Sequence, residues 1–253
     1  MCYHSHINER TMLNFNQYLN EENKNDTGGG LTIFDIDDTL FKTTAQVSVK
    51  KGNRVVKRLD TGEYNTYKLR PGEKFDFSEF RDALKFQKES RPIKRMMAKA
   101  KIILRNTLNK PKSRVIIVTA RTDFDNKEMF LDTFRKYGFD IDKVRVERAG
   151  RLGDVYGTSQ QKAVIIHNYL KTGQFTRVRL FDDSVQNLKV FLGLQRFFPN
   201  IKFEAYFARD DGSVRTIKEE YGAGEFGTTE LLNKYLDDTP YSRPKKKKEK
   251  VKK

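Results

Sequence analysis

The chain has 253 residues, 37% apolar and 33% charged with 19 Phe and 11 Tyr, enough for one large α/β domain or a core carrying an insertion. Its single cysteine, Cys2, excludes an internal disulfide framework, and no apolar run nears the ~20 residues that span a bilayer or forms a secretion signal, so a cytoplasmic protein without a membrane partner is expected. The net charge of +16 falls to +10 once the lysine-rich end, 245 to 253, is set aside, and a positive field of that size suits anionic or nucleic-acid partners.

Residues 1–30 read as a flexible appendage, with a short helical stretch over Leu13 to Glu22 and a polar, glycine-ending linker over 22–30. Leu31 to Asp35 is a short apolar run ending in acid, the pattern of a buried strand with polar residues at its carboxyl edge. Similar runs recur at 114–119, 143–147, 177–181 and 202–207. Helical periodicity lies between them at 126–137, 159–170 and 185–196. Alternation of this kind predicts a parallel sheet with helices on both faces and ligands outside the carboxyl ends of the strands.

The stretch from about 41 to 110 interrupts the alternation. It is expected to hold a hairpin, 45–50 and 54–59 around Lys51-Gly52-Asn53, then helices over 78–89 and 92–108, the second with Pro92 in its first turn. A final antiparallel hairpin turns at Asp210-Asp211-Gly212. Residues 31–238 are then one domain with this insertion, and 239–253 a basic disordered tail.

Three predicted strand ends carry chemistry. Phe34-Asp35-Ile36-Asp37-Asp38-Thr39 sets two carboxylates two residues apart, so that one can attack an electrophile while the other carries a proton. Val118-Thr119-Ala120-Arg121 ends the second strand, and Phe181-Asp182-Asp183-Ser184 the third, with Lys162 near the start of the helix between them.

This ordered set over 31–210 resembles the four signature motifs of haloacid dehalogenase (HAD) phosphatases: Asp-x-Asp-x-Thr, a strand-end Thr, a helix-borne Lys and a strand-end Asp-Asp. The resemblance implies a HAD-like Rossmannoid core with a parallel central sheet and a hairpin and helical cap-like insertion after the first strand. It implies Asp35 as nucleophile, Asp37 as general acid and then base, and Thr119 and Lys162 as contacts to the phosphoryl group. Arg121 is either a further phosphate contact or a surface residue, and Arg151 or Lys171 are alternatives for the Lys162 position. Mg2+ is implied as cofactor, held by Asp35, the Asp37 carbonyl and Asp183, with Asp182 in support. Ser184 and Asn187 are expected to cap the last motif, and His167 to be structural.

The expected substrate is a phosphomonoester. Lys50, Lys51, Arg54, Lys57, Arg58 and Lys68, interleaved with Tyr64 and Tyr67, suit phosphate backbones and base stacking. Glu63-Tyr64-Asn65 and 75–80 loosely resemble phage Swiss-Army-knife RNA-repair-like HAD proteins, which implies nucleic-acid ends as substrate and, for a phage-encoded chain, the host cytoplasm. A nucleotidase or small-metabolite phosphatase is the second expectation, and a non-catalytic nucleic-acid-binding or virion-packaged protein the competing class.

Overall fold

The computed structural model describes residues 28–64, 66–152 and 157–217. The expected N-terminal appendage and its helix, apart from 28–30, and the lysine tail lie outside the described residues.

The chain enters at β1 (Gly29–Phe34), which is flanked in the sheet by β7 (Arg114–Thr119) on one side and β9 (Phe175–Asp182) on the other. β8 (Arg145–Arg148) lies beyond β7, and β10 (Lys202–Ala208) beyond β9. All of these pairings are parallel. Only β11 (Val214–Ile217), an edge strand after the turn at Gly212 (φ 76°), runs antiparallel. The sheet therefore grows outward from β1 in one direction and then returns to grow in the other. The crevice above β1, where the direction changes, is where an open α/β sheet admits ligand.

Helices cover both faces, and each buries an apolar stripe. α3 (Lys94–Leu108) presents Met96, Met97, Ala100, Ile103 and Leu104, and with α2 (Ala83–Glu89) and α4 (Lys127–Lys136) closes one core around Phe34, Ile117 and Phe181. α5 (Thr158–Leu170) and α6 (Val185–Gly193) close the other around Leu31, Ile33, Val118 and Leu180. Beneath the strand ends Phe34, Phe181 and Tyr206 stack across three strands at 4.8 Å centroid spacing, which stiffens the floor of the crevice.

The parallel core with an insertion after its first strand is as expected, with differences in detail. Two of the three glycines read as linker, Gly29 and Gly30, are strand: a side chain at Gly29 would strike the Lys112 carbonyl, so the backbone's close approach requires glycine there. The insertion holds β2 (Phe41–Lys42), β3 (Val47–Lys51), β4 (Arg54–Leu59), the short helix α1 (Thr61–Tyr64), β5 (Glu73–Asp76) and β6 (Arg91–Pro92). Its sheet has three strands, ordered β4-β3-β5, where a hairpin was expected. The helix expected over 78–89 is split, because Asp82 takes an extended conformation and caps α2 by accepting from the Lys85 N–H. Pro92 is not in the first turn of α3 but in β6, paired with Phe41, where its missing N–H costs no ladder bond. No helix among the described residues is long and apolar enough to cross a membrane.

Candidate active site

The end of β1 sets the site. The Asp35 N–H donates to the Phe181 carbonyl at 3.0 Å, which carries the strand pairing one residue past β1. The chain then turns sharply: Leu40 and Phe41 N–H both donate to the Ile36 carbonyl, and Asp38 takes a left-handed conformation (φ 54°) that Asp tolerates better than most residues. This turn leaves Asp35 and Asp37 on the crevice side, both buried.

Lys162, in the first turns of α5, is 2% exposed and bridges two carboxylates, with its Nζ 3.0 Å from Asp35 and 2.9 Å from Asp182. Burial opposes its charge, but Asp182 and Asp35 more than offset that and hold the ammonium protonated. Of the alternatives for this position, Arg151 pairs with Asp123 and Lys171 sits exposed at the end of α5.

Asp182 and Asp183 divide at the end of β9. Asp182 is fully buried and accepts from Lys162, from the Ser184 N–H at 2.9 Å and from Asn187 Nδ2 at 2.9 and 3.0 Å. Ser184 caps α6 and accepts from the Asn187 N–H, and Ser159 Oγ donates to Asn187 at 2.6 Å, so the supporting roles expected of Ser184 and Asn187 are met. Among the described residues Asp183 receives a single long hydrogen bond of 3.4 Å, from Thr39 Oγ1, which leaves its oxygens capacity for another partner.

Asp35, Asp182 and Asp183 each offer a carboxylate oxygen, all within 4.8 Å of one another. Burial, together with the neighbouring carboxylates and against the pull of Lys162, pushes the Asp35 carboxyl up to about 7 and that of Asp183 up to about 8. Crowded hard oxygens of this kind fit a divalent cation such as Mg2+, with Asp35 and Asp183 the better donors because Asp182 is already saturated by N–H groups.

Thr119 is fully buried at the end of β7. Its Oγ1 accepts from the Arg121 N–H at 3.2 Å, which leaves its O–H to donate elsewhere. Arg121 is not a surface residue. It is 2% exposed, and its Nε and Nη2 reach both oxygens of Asp37 at 3.0 and 2.7 Å, so its fork is turned toward a carboxylate and not open to a substrate. His167 packs against Phe197 and Phe198, and burial pushes its imidazole down to about 4, in keeping with a structural role.

Support extends to the rim. Lys42 bridges Asp38 at 3.0 Å and Asp210 at 3.1 Å, and Arg95 pairs with Asp211 at 3.1 Å. Gly212 sits so close to α3 that a side chain there would come within 2.9 Å of the Met96 nitrogen. In the insertion, Tyr64 and Tyr67 are half-buried against Phe75 and do not form an open stacking platform; Tyr67 donates to Glu73 at 3.0 Å.

No protein-family model matches the chain, and no curated protein matches it. Among solved structures, the HAD domain of effector protein Lem4 from Legionella pneumophila is similar with a TM-score of 0.43 and 12% identity, over 85% of this chain and 98% of that one. An inactive mutant of the same domain gives a TM-score of 0.41 and 12% identity, over 85% and 96%. Similarity at this level is faint, and the site stands on the geometry of its own residues.

Proposed function

We propose that the protein is a HAD-type phosphomonoester hydrolase that works through an aspartyl-phosphate on Asp35. The observation that carries this reading is the convergence, at the switch point of a parallel sheet, of Asp35, a buried Lys162 bridging it to Asp182, and an under-bonded Asp183. A structural salt bridge alone has no need of a further acid with spare bonding capacity beside it. In the first half-reaction an oxygen of Asp35 bonds to phosphorus as the ester oxygen leaves with the proton of Asp37. In the second, Asp37 takes a proton from water as the water oxygen bonds to phosphorus and Asp35 is released. The Thr119 hydroxyl and the Lys162 ammonium supply hydrogen bonds and positive charge to the transferring group. Mg2+, held by Asp35, Asp183 and the Asp37 carbonyl, would neutralise negative charge on the phosphoryl oxygens.

The leading substrate is a polynucleotide end. Lys51, Arg54, Lys57 and Arg58 of β3 and β4, with Lys68, Arg70 and Lys74 nearby, are all exposed, and such a basic surface favours a phosphate backbone over a small metabolite. The test is release of inorganic phosphate, with Mg2+ and with chelator, from 3′- and 5′-phosphorylated oligonucleotides and from free nucleotides. Mg2+-dependent release that favours oligonucleotides is expected, with Asp35→Asn lowering it by a factor on the order of 10⁴ or more. Preference for free nucleotides would move the substrate to the nucleotidase reading. Turnover that survives Asp35→Asn would overturn the mechanism, and no release from any of these would favour a nucleic-acid-binding protein.

A further inference from the structure

Arg121 is a buried cation that the hydrolase reading leaves without a task. Its guanidinium is gripped on every side. One edge holds both oxygens of Asp37, Nη1 donates to the Phe80 carbonyl at 2.7 Å, and Nη2 reaches Thr43 Oγ1 at 3.4 Å. The Phe86 ring centroid lies 4.7 Å from its central carbon and that of Phe80 5.3 Å away. Thr43, Phe80 and Phe86 all belong to the insertion, while Arg121 follows β7 and Asp37 follows β1. Phe86 is in turn fixed by Phe41 at 5.1 Å and by Phe130 at 5.3 Å.

We infer that Arg121 is a positioning residue through which the inserted segment sets the orientation of Asp37 for proton transfer. This rests on the hydrolase reading above. Asp37 must serve two oxygens in turn, that of the leaving group and that of water, from a single place. A carboxyl on two side-chain torsions, the outer one broad, does not keep such an aim unaided, and errors of an ångström in proton-transfer geometry cost large factors in rate. The planar guanidinium fixes the plane of the carboxyl as well as its position, which a point charge cannot do. The rings and the Phe80 carbonyl fix the guanidinium. The insertion thereby acts on the Asp37 carboxyl through Arg121, while its Phe41 meets Asp37 only along the backbone.

The test compares an aryl ester, p-nitrophenyl phosphate, with an alkyl ester, glycerol phosphate, in the full-length wild-type protein with Mg2+ and in Arg121→Gln, Arg121→Lys, Phe80→Ala, Asp37→Asn and Asp37→Asn/Arg121→Gln. Nitrophenolate leaves without protonation and an alkoxide does not, so kcat/KM for the alkyl ester reports the acid, whose contribution is roughly 10²- to 10⁴-fold. Arg121→Gln is expected to lower kcat/KM for the alkyl ester at least ~10-fold more than for the aryl ester. Arg121→Lys should recover only part of the loss, Phe80→Ala should shift the ratio in the same direction by less, and the double variant should be no slower than Asp37→Asn.

Equal losses on both esters, or a double variant slowed by the product of the single effects, would overturn the positioning role. Unfolding midpoints taken on each variant separate misfolding from misalignment, and should Arg121→Gln not fold, the ester ratio of Arg121→Lys decides. Wild-type protein that turns over neither ester nor the 3′- and 5′-phosphorylated oligonucleotides would overturn the hydrolase reading and this inference together; where oligonucleotides alone turn over, the comparison of Asp37→Asn with the double variant on them decides. Turnover abolished by Asp35→Asn, with an Arg121 defect indifferent to the leaving group, would overturn this inference alone.

Discussion

The core strand ends and the inserted three-stranded sheet draw on the same stock of Lys, Arg, Asp and Glu but use it in opposite ways. At the strand ends Lys162 and Arg121 are each 2% exposed and each lies on carboxylates that are buried too. On the insertion Arg54, Lys57 and Arg58 stand in solvent; Arg58 pairs with Glu79, and Lys57 lies 3.7 Å from Glu63. Water and salt screen the second set, whereas in the first each charge feels its neighbours in a low dielectric. Charge content is thus a poor guide to where chemistry lies, and shared burial is a good one.

The contrast can be broken most directly at Lys162. Lys162→Met leaves Asp35 and Asp182 buried without their cation and is expected to cost about 3–5 kcal/mol, read from denaturant unfolding at neutral pH in chelator. A loss below about 1 kcal/mol would mean that the pocket behaves like the surface sheet.

A second effect is expected from pH. The Asp35 and Asp183 carboxyls titrate near 7 and 8 in the folded chain, against about 3.9 when unfolded. Between these values the folded chain binds more protons than the unfolded one. The contribution of these two acids to stability is therefore greatest at low pH and falls as pH rises from about 4 to about 8. Calorimetry in chelator should give a lower midpoint at pH 8 than at pH 5, and Mg2+ should raise it at pH 8 far more than at pH 5. A midpoint flat across this range would show that the acids are not crowded in solution.

The smallest effect sharpens the other side. Lys57→Glu with Arg58→Glu should change stability by no more than about 1 kcal/mol. It should raise KM for a phosphorylated oligonucleotide and flatten its salt dependence while leaving glycerol phosphate unaffected. An equal effect on both substrates would remove the insertion from substrate capture.

The strand ends were legible because a short apolar run that stops at Asp35, Thr119 or Asp182 has one economical reading, a buried parallel strand opening on a polar edge. Lys162 was legible because a helix between two such strands must start at that edge. Two kinds of feature were not legible. β5 reads Glu-Lys-Phe-Asp and contributes only Phe75 to a small core, too little alternation to stand out from loop. The partner of Arg121 is 84 residues away, and nothing local to Val-Thr-Ala-Arg distinguishes an arginine turned inward onto Asp37 from one turned toward a substrate. Local pattern reports which element a residue sits in; tertiary pairing is settled only when the elements meet.

The antiparallel edge strand β11 adds no group to the crevice, yet the turn before it lies beside the loop after Asp35, with the exposed pair Lys42–Asp210 between them, and is seated closely on the start of α3 by Gly212. It serves as an outrigger: Gly212 seats on the start of α3, and the Ile93 N–H there donates to the Leu40 carbonyl, which links the loop that carries Asp35 to the far margin of the sheet. Clipping that margin, or prising it away with a fused partner, would loosen the aim of Asp35 without touching anything inside the crevice.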